Sequence, residues 1–364
     1  MTAPIQTLVA VLLSLCCASQ ESGKASSPTV PGPEAQDLVA RTHGRIVLTL
    51  PVGGIQTIGL PQLAEATPRK PDAGLLPVHS LAGPDSLGRI AFVENDMMQE
   101  RHKLELLLPD GTTTVVFEAP GDAMWGHAVG EHLAMNVQGT RIALVARAQG
   151  VQMRQPDAYL MEGELEIWRV DERQRFQTRT IQACDDMLAW HPDGKQVFYT
   201  ALISADEARE FSSAQVAAED DFARSTLRWE RVPAVRVFDM ETGLSHTLHV
   251  GERPNVSPDG RLVLLRDFEQ HWRVLDLESG RSRPFQAPGA VAPGAIAFVD
   301  QDTVLYWAWP TEGSEIKYTK HNSPLVGKKA MPALKLVDLR DGRFQTAVPF
   351  VDPRRAVSFG AGAK

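Results

Sequence analysis

From Arg89 to Val348 the chain alternates short apolar runs with turn residues, and few apolar runs outlast the length of one strand. The clearest unit is Val256–Arg266, Val-Ser-Pro-Asp-Gly-Arg-Leu-Val-Leu-Leu-Arg. It reads as a short strand, a Pro-Asp-Gly turn and a second, more apolar strand. Pro258 presets φ for the turn, and Gly260 supplies the positive φ that side chains with a Cβ resist. The second strand of this unit recurs at Arg89-Ile-Ala-Phe-Val, Arg141-Ile-Ala-Leu-Val, Lys195-Gln-Val-Phe-Tyr, Arg261-Leu-Val-Leu-Leu and Asp302-Thr-Val-Leu-Tyr. A second phrase follows it each time. Val235-Arg-Val-Phe-Asp-Met-Glu-Thr-Gly, Trp272-Arg-Val-Leu-Asp-Leu-Glu-Ser-Gly and Leu334-Lys-Leu-Val-Asp-Leu-Arg-Asp-Gly are close copies; Leu104–Gly111 and Leu165–Asp171 are looser ones. These predict a third strand, a tight turn and a fourth strand.

Four strands in fixed order, repeated every 41 to 66 residues, describe the blades of a β-propeller. A sandwich of unrelated hairpins would not keep that order. Each blade leaves two apolar faces, so blades must stack around an axis. Five blades are complete between Val78 and Phe350. The hairpin Arg45–Leu60 and the strand-like Ala356–Gly360 are left over. Together they predict a sixth blade made from both chain ends, with Ala356–Gly360 innermost, the hairpin as third and fourth strands, and Asp37–Arg41 as the missing second strand. The expected fold is thus an all-β, six-bladed β-propeller closed by the N- and C-terminal strands. A five-bladed ring with loose ends is the alternative.

The inner hairpins Trp190-His-Pro-Asp-Gly-Lys-Gln-Val-Phe and Val256-Ser-Pro-Asp-Gly-Arg-Leu-Val-Leu resemble the WD40-like "PD40" repeats of TolB-type β-propellers. The resemblance spans roughly residues 79–310 and is degraded at Gly83–Gly88 and Asp300–Asp302. It implies an exported propeller, often six-bladed, and is specific for fold more than for function. The chain departs from TolB, which carries a separate domain before its propeller, in that a tether and one hairpin precede the repeats. Related propellers of prolyl oligopeptidases serve a hydrolase domain, but no Gly-x-Ser-x-Gly elbow occurs here.

Strand alternation sorts the connections onto two rims. First–second and third–fourth turns share one rim and are short, as in Pro192-Asp-Gly, Pro258-Asp-Gly, Glu241-Thr-Gly and Glu278-Ser-Gly. Second–third and blade-to-blade connections share the other, and the insertions Ala148–Gly163, Leu202–Pro233 and Pro310–Pro332 all fall there. Loops on a rigid scaffold carry binding residues, so this insertion rim is the expected binding face. Ala205–Phe222 is acidic and spaced for a short amphipathic helix, whereas Pro310–Pro332 is basic, with Lys317, Lys320, Lys328 and Lys329 around Tyr318 and His321.

Charge and cysteine content narrow the class. The net charge of -8 argues against a general nucleic-acid binder. Of the three cysteines, Cys16 and Cys17 lie in the N-terminal segment, leaving Cys184 as a lone thiol in the body, and without a CxxC pair there is no zinc ribbon. The apolar run Leu8–Leu15 is too short for a bilayer span, which takes ~20 residues, and predicts a signal peptide or lipoprotein leader over 1–18. Leu13-Ser-Leu-Cys16 resembles a lipoprotein box with Cys16 as the lipidated residue, although no Lys or Arg precedes the run. Residues 19–36, rich in Ser, Pro, Gly and Glu, read as a tether to a single propeller domain over 37–364. The expected location is the periplasm or cell envelope, with the membrane reached only through a lipid anchor.

Candidate ligand or partner residues are Trp125, His127 and His132 before the second inner strand, Asp185 and Asp186 at the equivalent place in the next blade, and Lys317, Tyr318 and His321 in the basic insertion. His127 and His132 fit no standard zinc spacing, and two adjacent carboxylates are too few oxygens for calcium, so no metal and no cofactor is assigned. Cys184 reads as a buried small side chain, His191 as part of its turn, and Trp307 and Trp309 as packing on one strand face. No catalytic set is legible. The sequence therefore favours a monomeric, non-catalytic envelope propeller that binds a protein or small ligand. The alternative is a lyase or hydrolase acting at the central funnel.

Overall fold

In the computed structural model the described residues are 38–49, 55–60, 64–65, 78–96, 101–119, 132–152, 159–176, 180–184, 186–209, 231–267, 271–287, 290–309, 317–318, 324–325, 333–348 and 357–361. The described chain begins with a short helix, α1 (Leu38–Arg41), then β1 (Gly44–Thr49), β2 (Ile55–Leu60) and β3 (Ala64–Glu65). Five further sheets follow in chain order among the described residues, and these are the blades. Blade 1 holds β4 (Val78–Ala82), β5 (Ile90–Asp96), β6 (Arg101–Leu107) and β7 (Thr113–Ala119). Blade 2 holds β8 (Leu133–Met135), β9 (Arg141–Gln152), β10 (Tyr159–Arg169) and β11 (Gln174–Arg175), with β12 (Gln182–Cys184) also paired to β10. Blade 3 holds β13 (Ala189–Trp190), β14 (Gln196–Ser204), β15 (Arg231–Asp239) and β16 (Ser245–Val250). Blade 4 holds β17 (Glu252–Val256), β18 (Leu262–Arg266), β19 (Trp272–Asp276) and β20 (Ser282–Pro284). Blade 5 holds β21 (Ala290–Phe298), β22 (Thr303–Trp309), β25 (Ala333–Asp338) and β26 (Phe344–Val348). A separate small hairpin, β23 (Lys317–Tyr318) with β24 (Pro324–Leu325), lies between β22 and β25 in sequence. The last strand is β27 (Val357–Ala361), which pairs antiparallel with β1 in a four-stranded sheet ordered β27-β1-β2-β3.

The molecule is an all-β propeller, and its five blades match the alternative count above, not the expected six. Two details of the expected terminal sheet need correction. Leu38–Arg41 is a helix, not a strand: its paired apolar residues Leu38 and Val39 both bury against blade 5, which a strand's alternation would not allow. The hairpin also sits one place further in than expected, with β1 directly beside β27 and β3 outermost.

Period-two alternation builds the core. In β14, Val197, Tyr199 and Ala201 pack toward blade 2, whereas Phe198 packs with Val263, Leu265 and Leu275 of blade 4. In β22, Val304, Tyr306 and Ala308 meet Leu264, Trp272 and Val274 of blade 4, while Leu305 and Trp307 meet Ile46, Ile58 and Leu60 of the terminal sheet. On the far side of that sheet, Val47 and Ile55 join Leu81, Ile90 and Phe92 of blade 1. Both faces of each middle strand are thus buried, which is why these runs read as continuous apolar stretches. Trp307 and Cys184 are core, as expected.

The short-turn rim is stitched from blade to blade. Arg89 donates to the Gly139 carbonyl at 2.9 Å and Arg141 to the Gly194 carbonyl at 2.7 Å, crossing from blade 1 to 2 and from 2 to 3. α1 lies on this rim: Val39 N–H donates to Gln345 Oε1 at 2.8 Å, and Arg41 pairs with Asp338 at the end of β25.

On the insertion rim, Ala148–Gly163 is largely strand, not loop, because β9 and β10 extend to Gln152 and from Tyr159 with a bulge between Glu162 and Glu164. The expected helix in the acidic insertion covers 205–209. Ser204 caps it by accepting from Glu207 N–H at 3.1 Å, and Ala205 and Ala208 are buried. Residues 210–222 of that expectation lie outside the described residues.

Candidate functional site

The insertion rim between blades 2, 3 and 4 carries a chain of charged side chains. It starts at the bulge in β10, where Glu162 accepts two hydrogen bonds from Arg231 at 2.8 and 2.5 Å. Arg231 opens β15, so this fork ties blade 2 to blade 3. The Glu162 bond raises the Arg231 pKa further, and the guanidinium also reaches the Leu202 carbonyl at 3.3 Å.

The next link joins blades 3 and 4 around Asp186, which lies just before β13 and is 2% exposed. Its Oδ2 accepts from Thr200 Oγ1 at 2.8 Å and from Arg253 N–H at 2.9 Å. Arg253 N–H also reaches Thr200 Oγ1 at 3.2 Å. Arg253 holds a left-handed backbone, with φ 60, which costs a residue with a Cβ about 1–2 kcal/mol. The arrangement uses that twist to turn the amide inward to the carboxylate while the guanidinium Nε stands 3.6 Å from Asp186 and 3.7 Å from Glu252. Buried Glu252 also accepts from Arg266 at 3.4 Å. Burial pulls the Arg266 pKa down, and Glu252 opposes it. Gly251 precedes the cluster with φ 143; a Cβ there would stand 2.5 Å from the Arg266 carbonyl, so the crossing from blade 3 to blade 4 requires glycine.

Two titratable groups beside this cluster are shifted by their surroundings. Burial raises the Cys184 thiol well above its usual range, and Asp186 and Glu162 add to that, so the thiol stays protonated. Burial lowers His249, against the opposing bond from its Nδ1 to the Val250 carbonyl at 2.6 Å, which keeps the ring neutral. Among the described residues no group of three His, Cys, Asp or Glu could hold a metal ion. The cluster positions backbone and fixes the seam between blades.

Of the residues picked from sequence, Asp186 is at the centre of this cluster. His132 directly precedes β8, the equivalent place one blade earlier, and is half-buried. Lys317 and Tyr318 form β23 and pair with Leu325 and Pro324. Trp125, His127, Asp185, His321 and Cys16 lie outside the described residues. Sequence reading missed Thr200, Glu252, Arg253, Arg266 and the Glu162–Arg231 pair. One signal was available for Arg253: Gly251-Glu-Arg-Pro254 puts a charged pair at the blade junction, between a glycine and a proline.

The opposite rim carries an open cavity of about 580 Å³ between blades 4 and 5. Leu262 and Val274 line it together with Arg261, Asp276, Arg281, Arg283 and Asp302.

No family model and no curated protein matches the chain. The PD40 resemblance of the inner hairpins therefore stands on their own residues. Among solved structures, the crystal structure of TolB from Acinetobacter baumannii is similar over 87% of this chain, with a TM-score of 0.55 and 16% sequence identity; the chain spans 66% of that structure's length. At that identity the likeness is one of fold, and the fold is a TolB-like propeller.

Proposed function

We propose that this protein is an exported, non-catalytic propeller that binds a protein or a small ligand in the cell envelope through its insertion rim. In this reading residues 1–18 are the leader, with Cys16 lipidated if the anchor is retained, 19–36 the tether, and 37–364 a monomeric propeller. The observation that carries it is the separation of the two rims. The long connections 205–230 and 310–332 leave one rim, whereas α1, where the described chain begins, lies on the other beside Asp338 and Gln345. A protein held by its N-terminal segment would present its insertions away from the anchor, carrying Trp125, His127, His132, Asp185, Lys317, Tyr318 and His321 toward a partner, with buried Asp186 bracing the rim beneath them. The Glu162–Arg231 fork supports this by holding the end of the 205–230 connection in fixed register.

The same proposal includes ring closure by six blades, with β27-β1-β2-β3 as the sixth. Its support is that β27 touches both β21 of blade 5 and β4 of blade 1.

The test is a pull-down from envelope extract with the mature body, beside a form in which 210–230 is replaced by a short Gly/Ser linker. The cut starts after the helix at 205–209 because Ala208 is buried. A partner captured by the full body and lost by the shortened one is the expected result; equal capture by both would overturn the insertion-rim assignment. Mass spectrometry of the native N-terminus checks the compartment, and an intact 1–18 segment in a cytoplasmic fraction would overturn export.

A further inference from the structure

The side-chain stitch of the short-turn rim joins blades 1 to 2 and 2 to 3 and is replaced at the next two seams. Arg89 and Arg141, each at the start of a second strand, donate to the turn glycine of the next blade. Between blades 3 and 4 the equivalent Lys195 pairs with Glu241 of its own blade at 2.6 Å, and the His191 ring lies against Gly260 and fills the seam instead. Between blades 4 and 5 the equivalent residue, Arg261, turns back onto its own blade and donates to Asp276 Oδ2 at 3.1 and 3.0 Å. The blade 5 turn, Asp300-Gln-Asp302, has no glycine to receive it. This seam is closed deeper down, where Phe298 N–H donates to Asn255 Oδ1 at 3.0 Å, and it stays open at the rim. The cavity of about 580 Å³ is that opening.

Its lining is asymmetric in what remains available. Asp276 is occupied by Arg261 and by the amides of Glu278 and Ser279 at 3.1 and 2.9 Å. Asp259 accepts from Ser257 Oγ at 2.6 Å and Arg261 N–H at 3.1 Å. Asp302 stands 3.8 Å from Arg340. The exposed guanidinium groups of Arg281 and Arg283 have no partner among the described residues. Arg283 lies in β20 and Arg281 directly precedes it, its carbonyl accepting from Asp276 N–H at 2.9 Å and so extending the ladder by one residue; both therefore point to one face, roughly 7 Å apart along the strand, above the apolar floor of Leu262 and Val274.

We propose that this groove binds an extended acidic peptide whose carboxylates lie on alternate residues. Two strand residues of the form Glu-x-Glu repeat at the spacing of Arg281-x-Arg283, and each guanidinium fork matches a carboxylate. The methylenes of the glutamate side chains cover Leu262 and Val274. β20 is also the outermost strand of blade 4, and charge plus Pro284 would guard such an edge against aggregation in any case. Edge guarding explains the charges, but not the unstitched seam beside them.

Charge reversal separates the two explanations, because glutamate guards an edge as well as arginine does. Fluorescence anisotropy with a labelled Gly-Glu-Ser-Glu-Gly peptide should show saturable binding to the full chain that falls with added salt. Arg281→Glu and Arg283→Glu should each weaken it about tenfold or more with unchanged thermal melting. Arg173→Asn, which removes an exposed charge from a blade 2 turn, should leave it unaltered. The double reversal should instead bind Gly-Lys-Ser-Lys-Gly. Peptide binding that survives both reversals, or no peptide binding at all, overturns the proposal. So does competition by succinate with no preference for Glu-x-Glu over adjacent glutamates.

Discussion

Gly260 shows how a single position can be over-determined. Sequence alone assigns it a positive φ in a Pro-Asp-Gly turn, and φ is 77. The structure adds an independent reason: a Cβ would stand 2.3 Å from His191 Nε2, the ring of the preceding blade. Gly139 and Gly194 repeat the arrangement, with Asp85 and Arg89 over the first and Asn136 and Gln138 over the second. These three inner-hairpin glycines are therefore contacts between blades, whereas a Cβ at Gly243 or Gly280, in the third–fourth strand turns, would meet nothing within 4 Å. Gly260→Ala should destabilise by about 1–2 kcal/mol for the left-handed backbone alone, and by more while the ring stays in place. His191→Ser in the same background should restore the second part only, as a urea-unfolding cycle can measure; no recovery would mean the ring moves aside freely. The turn was legible because its chemistry is local. His191 against Gly260, or Arg253 against Asp186, was not, because those partners stand 69 and 67 residues apart and meet only through blade stacking. Polar type marked Asp186 as notable; nothing in its own segment named Thr200 or Arg253 as its partners.

Among the elements, the third–fourth strand hairpins repeat one device. Asp239, Asp276 and Asp338 each end a third strand and accept from amides of their own turn, Thr242 N–H at 2.8 Å, Ser279 N–H at 2.9 Å and Arg340 N–H at 2.9 Å. Their pKa values fall below the usual carboxylate range, through the Thr242 amide for Asp239, the Ser279 amide for Asp276, and the Arg340 guanidinium for Asp338. A carboxylate depressed in the folded state contributes stability above its unfolded pKa of about 3.9, and loses it as pH falls below that value toward the folded pKa. Asp338 is the strongest case, since its buried side chain also holds Arg41 of α1. Asp338→Asn should be less stable than wild type at pH 7, and the gap should narrow as pH drops below about 4. Urea unfolding across that range checks it, and a constant gap would exclude the titration. The Asp-x-x-x-Gly phrase predicted these hairpins correctly, because capping lies within five residues. α1 was misread for the opposite reason: four residues are too few to show a period, and what makes Leu38–Arg41 helical is the apolar site on blade 5 that receives Leu38 and Val39.

For the whole molecule, the decisive contact is between the two ends of the chain. β27 pairs with β1 over five residues, from Gly44↔Ala361 to Leu48↔Val357. Next to it, Ile46 packs toward blade 5 and Val47 toward blade 1, both fully buried. If this sheet closes the ring as a sixth blade, removing Arg355–Lys364 takes away its innermost strand. β1 then becomes an open edge, and the flanks of β21 and β4 lose their neighbour. Each backbone hydrogen bond contributes about 0.5–1.5 kcal/mol net, so the lost ladder alone amounts to a few kcal/mol, against a typical total of about 5–15 kcal/mol. Re-exposed apolar surface on both sides adds to the loss. The shortened protein should melt several degrees lower, by about 2–4 °C per kcal/mol in a domain somewhat smaller than this one, or aggregate through the new edge. Removing only Gly362–Lys364, which follow β27, should leave the melting temperature unchanged and so control for truncation itself. If both shortened forms melt like the full chain, β27 contributes no closure, and the propeller is a ring of five blades with its ends laid against the outside.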